Sequence, residues 1–358
     1  PLTQKILNRT IGSRIEINRT PISVEYGMIK AIKSKYVHAA HESQNLLETI
    51  FAGHPGIYGV KIRVPRGDAN AMPEEHRRHD NSPRLPDVKE LVTSVVDKKS
   101  SFTDVLRQLY GSGEITLGTI ACSIQENVID VWAGLARNSE IGINTFGGNE
   151  NEINLALIKL KQRPKLVLDI TALLTIHTLG IGASVVLAFG NPVVVQTTID
   201  TISQKIQQFK ASEFRGGFMT LGKRQDHYIR DEVKPEDLRK NRRILEDILE
   251  WIFSNCVIEP CWASLKINMK DKKELDEIIG VSFVDSALVA SQSEYVLYAE
   301  DAYLRTCVQN EPFFLTNSVW TQVVLLWLLA YGFINYQKYS EAVNIIYNQL
   351  NYGEVIFS

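Results

Sequence analysis

Apolar residues recur in two rhythms along the 358-residue chain. From Asp87 to about Leu160 the period is helical. Val88, Leu91, Val92 and Val95 repeat at i, i+3, i+4 and i+7, and Phe102, Val105, Leu106 and Leu109 do the same until Gly111-Ser112-Gly113 breaks the run. Ile115–Ile120 and Val128–Leu135 predict further short helices ahead of Gly147-Gly148-Asn149. After Arg163-Pro164 short continuous apolar runs take over. Leu166-Val167-Leu168, Val193-Val194-Val195, Val257-Ile258 and Tyr295-Val296-Leu297-Tyr298 predict buried strands. Helical stretches separate them: Ala172–Leu179, the face Ile199, Ile202, Ile206 and Phe209, then Leu238–Phe253 and Ser286–Ala290. Strands alternating with helices predict an α/β fold, a parallel sheet covered on both faces. Trp320–Leu328 and Tyr339–Leu350 predict a helical hairpin packed on it. No repeat of fixed period interrupts this order.

The first 36 residues are β-rich instead. Arg14–Ile17 and Tyr26–Ile32 alternate as short strands, with turn chemistry at Ile11-Gly12-Ser13 and Arg19-Thr20-Pro21. Residues 65–87 hold five prolines or glycines around Glu74–Asp80 and predict an exposed charged loop. His76 and His79 lie there in H-x-x-H spacing, but a metal site needs a rigid frame that this segment does not offer.

Composition narrows the picture. Hydrophobic residues at 44% exclude wholesale disorder. A net charge of −2 excludes a strongly basic nucleic-acid wrapper, while a local patch is compatible with it. Four scattered cysteines do not make a disulfide scaffold, and Cys256 and Cys261 lack a second pair at zinc spacing. They read as plain thiols of a reducing cytosol. The N-terminus lacks the basic and apolar regions of a signal peptide and an initiating Met, as in a chain processed or cut from a longer one. Leu166–Phe189 carries Asp169 and His177, and Val319–Ile334 is short of the roughly twenty residues a bilayer needs. Both predict soluble core, hence a cytoplasmic protein without a membrane partner.

Candidate chemistry lies in the carboxylates. Asp169 ends an apolar strand, where an ionised acid costs several kcal/mol unless compensated, and ligands of open α/β sheets bind beyond such ends. Asp200 follows Val193–Val195 in the first turn of the next helix, Asp285 opens a helix at Val284–Leu288, and Asp301 follows Tyr295–Tyr298 with Glu300 beside it. Asp at a helix N-terminus is commonly a cap worth about 1 kcal/mol, and Asp200 and Asp285 taken singly fit that role. Four acids gathered at one sheet mouth would need a divalent cation, and hard oxygen ligands suit Mg²⁺ or Mn²⁺. Such ions activate water for phosphodiester cleavage.

The region Pro164–Ser358, over half the chain, resembles the PIN-domain nucleases. Lys165–Leu174 carries the first acid, Val193–Asp200 the second, Val284–Leu288 the third and Leu297–Arg305 the fourth. It resembles in particular the large bacterial PIN proteins in which this domain follows tetratricopeptide repeats and a domain similar to the C-terminal part of Gre-type transcript-cleavage factors. Ile6–Glu16 and Tyr26–Ile32 look like the tail of that Gre-type domain. The resemblance implies a flavodoxin-like sheet, Mg²⁺ or Mn²⁺ held by Asp169, Asp200, Asp285 and Asp301, and endoribonuclease activity on single-stranded RNA or a structured RNA such as tRNA, in a toxin or defence effector. Asp200 departs from it, because that position is often Glu. The expected division is a partial Gre-like domain and connector at 1–64, a linker at 65–87, a helical domain at 88–162, the PIN-like domain at 163–310 and a helical extension at 311–358. The competing expectation is a catalytically inactive PIN-like module that bridges protein partners or forms homo-oligomers through its N-terminal half.

Other features are ambiguous by themselves. Lys223-Arg224 and Arg239–Arg243 would contact phosphates or form a solvated face among interspersed acids. Arg215–Gly222 predicts a flexible loop without phosphate-loop order. Thr171 and Arg305 would touch a scissile phosphate, or Arg305 would pair with Glu300. His177 reads as a core or partly exposed histidine.

Overall fold

A computed structural model describes residues 10, 12–19, 24–29, 88–137, 141–145, 150–224 and 227–353. The H-x-x-H pair, the proline-rich linker and most of the expected Gre-like segment lie outside the described residues. The chain divides into two units, Pro1–Pro83 and Arg84–Ser358. In the first, β1 (Arg14–Arg19) pairs antiparallel with β2 (Val24–Met28), with a register shift between Glu16 and Asn18.

The second unit begins with α1 (Val88–Gly111), one long helix where the pattern suggested two periodic stretches. It is followed by α2 (Leu117–Ile124), α3 (Val128–Ala136), β3 (Ile143–Asn144) and α4 (Glu150–Lys161). Then come β4 (Lys165–Leu168), α5 (Ile170–Leu179), α6 (Gly182–Phe189), β5 (Val193–Val195) and α7 (Gln196–Phe214). The antiparallel ribbon β6 (Phe218–Arg224) and β7 (His227–Val233) stands where the glycine-rich stretch suggested a loop. Next are α8 (Pro235–Asn255), β8 (Val257–Glu259), α9 (Met269–Ile279), α10 (Val281–Ala290) and β9 (Tyr295–Tyr298). Last are α11 (Ala302–Asn310), β10 (Ser318–Val319), α12 (Thr321–Ala330), α13 (Tyr336–Asn348) and β11 (Tyr352–Gly353).

Five parallel strands form the main sheet in the order β10-β9-β4-β5-β8. β4, β5 and β9 are buried along nearly their whole length, as strands covered on both faces must be, which is why they read as continuous apolar runs. The chain winds from β4 to β5 and β8 on one side, then returns to β9 and β10 on the other. The switch of direction therefore falls between β4 and β9, and in open α/β sheets the ligand crevice lies beyond the carboxyl ends at this point. Asp169 and Asp301 stand at that crevice.

The C-terminal hairpin packs as the aromatic spacing suggested. Trp327 stacks on Phe333 with ring centroids 5.5 Å apart and lies 4.6 Å from Phe189. No single helix among the described residues is long and apolar enough to cross a membrane. The apolar pair α5 and α6 is bent by 114° at Gly180 and faces the core.

α2 crosses α9 at very close range. A Cβ added at Gly118 would lie 1.8 Å from the Ile279 carbonyl oxygen, a backbone atom that cannot swing aside. Alanine is the better helix former by about 1 kcal/mol. Gly118→Ala is nevertheless expected to lose about 2–3 kcal/mol in urea unfolding, because overpacking outweighs propensity. A neutral or stabilising result would contradict this packing.

Candidate functional site

The crevice between β4 and β9 holds three fully buried carboxyls, Asp169, Glu300 and Asp301. Each is engaged by the chain itself. Asp169 ends β4 and caps α5: its Oδ1 accepts from the Ala172 N–H at 2.8 Å and the Thr171 hydroxyl at 2.7 Å. Its Oδ2 is buried without a hydrogen-bond partner. Asp301 caps α11, with Oδ1 accepting from the Tyr303 N–H at 3.0 Å. Its Oδ2 accepts from the Leu117 N–H at 2.6 Å, so the first turn of α2, 184 residues earlier in the chain, closes over it. Glu300 hydrogen-bonds the Thr321 hydroxyl. Thr171, expected to face a phosphate, is buried and bridges the two strand ends: it donates to Asp169 and accepts from the Glu300 N–H at 2.9 Å.

Burial governs the charge of this group. Desolvation pushes Asp169 up to about 7, against the pull of the Ala172 and Thr171 hydrogen bonds. It pushes Glu300 up to about 8 and Asp301 up to about 6. The hydroxyls of Tyr298 and Tyr352 are raised well above their ordinary value for the same reason. Glu300 is therefore largely protonated near neutral pH and Asp169 about half protonated.

The other two acids stand elsewhere. Asp285 lies inside α10 rather than opening it, and accepts from the Thr197 hydroxyl at 2.9 Å. The Lys272 ammonium sits 3.0 Å from its Oδ1, so a positive charge already fills the place a metal would take. Asp200 is exposed on α7, where its Oδ1 accepts from Gln196 at 2.9 Å. Among the described residues no group of three or more His, Cys, Asp or Glu side chains could hold a metal ion.

The expectation of a Mg²⁺- or Mn²⁺-dependent ribonuclease with Asp169, Asp200, Asp285 and Asp301 as ligands is corrected accordingly. The first and last acids serve as helix caps, the third is paired with Lys272, and the second faces solvent. These side chains do not fit the cation.

Arg305 is likewise internal. It lies 4.5 Å from the Trp320 ring, and its Nη1 donates to the carbonyls of Ala299 (3.1 Å) and Glu300 (2.9 Å). Its Nη2 donates to Thr145 O at 2.6 Å and Glu152 Oε1 at 3.1 Å. The expected pairing with Glu300 is thus made to its backbone, and the carboxylate partner is Glu152. Lys223 pairs with Asp97 of α1 at 2.8 Å, and the Arg224 side chain lies outside the described residues. Lys272, Glu152 and the Leu117 N–H had no distinguishing sequence signal. Lys272 sits at i, i+4 from Asp276 and looks like any surface ion pair.

A doubly wound sheet with acids at its switch point and helices on both faces is the architecture of a PIN-type domain. Residues 167–309 match the family model described as a PIN domain associated with the TPR-GreAB-C-PIN system. Comparison with curated proteins and with solved structures gives no match.

Proposed function

We propose that this PIN domain is a docking module that bridges protein partners and does not hydrolyse RNA. The observation that carries this reading is the internal closure of the switch-point crevice. The Leu117 N–H holds Asp301, the Ala172 N–H and Thr171 hydroxyl hold Asp169, and the Thr321 hydroxyl holds Glu300; outside the crevice, Lys272 holds Asp285. The partner is the tetratricopeptide–GreAB-C portion of the system that the family description names. A cytoplasmic setting belongs to the same reading and accords with the free thiols of Cys122, Cys256, Cys261 and Cys307.

A surface suited to docking lies at the β8 edge of the sheet. Val257 and Ile258 are exposed there, followed by Trp262 at 68% exposure, Leu265 at 78% and Met269 at 86%. Large apolar and aromatic side chains grouped in this way are typical anchors of protein interfaces.

The test has two parts. The full chain, incubated with labelled single-stranded RNA and Mn²⁺, is expected to leave the RNA intact with or without chelator; chelator-sensitive cleavage would overturn the reading. Co-elution with the tetratricopeptide–GreAB-C part of the same system is expected to weaken at least about tenfold in Trp262→Glu, the size of effect a buried aromatic anchor gives.

A further inference from the structure

We propose that a cleft formed by α5, the turn into α6 and α8 binds a small, flat, uncharged nitrogen heterocycle of purine or nucleoside size. The inference is independent of the docking reading and involves none of the crevice acids. The cleft has a volume of about 340 Å³, within the range of roughly 300–1,000 Å³ for small-molecule sites. Leu173, Ile176 and Ile248 are buried side chains that give it an apolar floor, and Trp251 forms a wall. His177 and Asn255 add polar groups to the lining.

The turn is built for close approach. Gly180 ends α5 at φ 60°, a conformation that glycine adopts without strain. Gly182 starts α6 directly against the indole, where an added Cβ would come 2.8 Å from Trp251 Nε1. The indole therefore packs directly on the Gly182 backbone, which fixes Trp251 as one wall of the cleft.

The polar groups define the ligand chemistry. The Asn255 Nδ2 donates to the Trp251 carbonyl at 3.0 Å, which leaves its Oδ1 as an acceptor. No other hydrogen bond engages that amide or the His177 ring among the described residues. Burial holds the His177 pKa below its ordinary value, against the opposing pull of Asp247. The imidazole is therefore neutral at neutral pH and offers one N–H and one acceptor nitrogen. Neither Asp247 nor Lys338, which reaches Gly180 from α13, lines the cleft. An apolar slot with an amide acceptor, a neutral imidazole and an indole wall suits a ring that carries both N–H donors and ring-nitrogen acceptors. A cationic ligand would lose its hydration there without a counter-charge among the lining residues, and the nearby Lys338 ammonium reaches only the edge at Gly180.

The test uses the full chain with adenosine as the probe and cyclohexanol as an apolar control, followed by saturation-transfer NMR at neutral pH. Adenosine is expected to bind with a Kd of about 1 mM or tighter. Ala183→Phe, which fills the cleft from the exposed side of α6, is expected to weaken binding at least about tenfold while the melting temperature is retained. Asn255→Leu, a second variant, is expected to weaken adenosine by about fivefold to tenfold through loss of the acceptor. Absence of adenosine binding, binding unaffected by both variants, or equal binding of cyclohexanol would overturn the proposal. The last result would make the cleft an unselective apolar hollow.

Discussion

Arg305→Met is expected to lose about 3–5 kcal/mol of unfolding free energy, the cost typical of removing one partner from a buried charged network. The guanidinium is 1% exposed and donates to three backbone carbonyls and to Glu152. Met fills similar volume beside Trp320 but donates nothing, so those acceptors stay buried and unpaired. The loss falls on the Ala299–Glu300 segment that orients the crevice acids. Arg305→Lys is expected to recover only part of it, because one ammonium cannot reproduce a planar fork that spans Thr145 and Glu300. Urea unfolding of both variants measures this. A loss below about 1 kcal/mol for Met would mean that hydrophobic replacement is well tolerated, as it is for some buried ion pairs.

Asp169→Asn is expected to gain stability relative to the wild type as pH rises. The folded pKa of Asp169 is about 7, against an ordinary value of 3.8. A carboxyl raised on folding contributes stability that is fully present below its unfolded pKa and is lost as pH rises through its folded pKa. For Asp169 that window runs from about pH 4 to about pH 8. Glu300 and Asp301, raised to about 8 and about 6, act in the same direction. Asn keeps the cap on Ala172 and cannot ionise. The difference between variant and wild type is expected to shift in favour of Asn by roughly 2 kcal/mol between about pH 5 and about pH 8. A flat difference, or a relative loss by Asn at high pH, would mean that Asp169 is a compensated anion.

Much of the sheet was legible because its strands are short, apolar and separated by periodic helices. β4, β5, β8 and β9 fall on Leu166–Leu168, Val193–Val195, Val257-Ile258 and Tyr295–Tyr298, and α12 with α13 on the aromatic hairpin. Burial on both faces produces that signature. The β6–β7 ribbon was not legible, since Gly216-Gly217 and Gly222 read as loop chemistry while the pairing from Phe218↔Val233 to Arg224↔His227 depends on cross-strand register.

At the candidate site, the positions of Asp169 and Asp301 at strand ends were legible but their chemistry was not. A capping Asp and a metal-binding Asp have the same local sequence. What separates them at Asp301 is the Leu117 N–H, brought in by α2 from 184 residues away, and at Asp285 the Lys272 ammonium from α9. Those contacts depend on close packing such as that at Gly118, and no local pattern encodes them. Asp200 differs for a simpler reason: its position on α7 turns it to solvent beside Gln196.

The crevice carboxyls are neutral or held by the chain's own donors rather than by a cation. Calorimetric titration of the full chain with Mn²⁺ near neutral pH, repeated on Asp169→Asn, tests this most directly. No stoichiometric binding tighter than about 1 mM is expected in either protein. One-to-one binding tighter than that, abolished in Asp169→Asn, would contradict it.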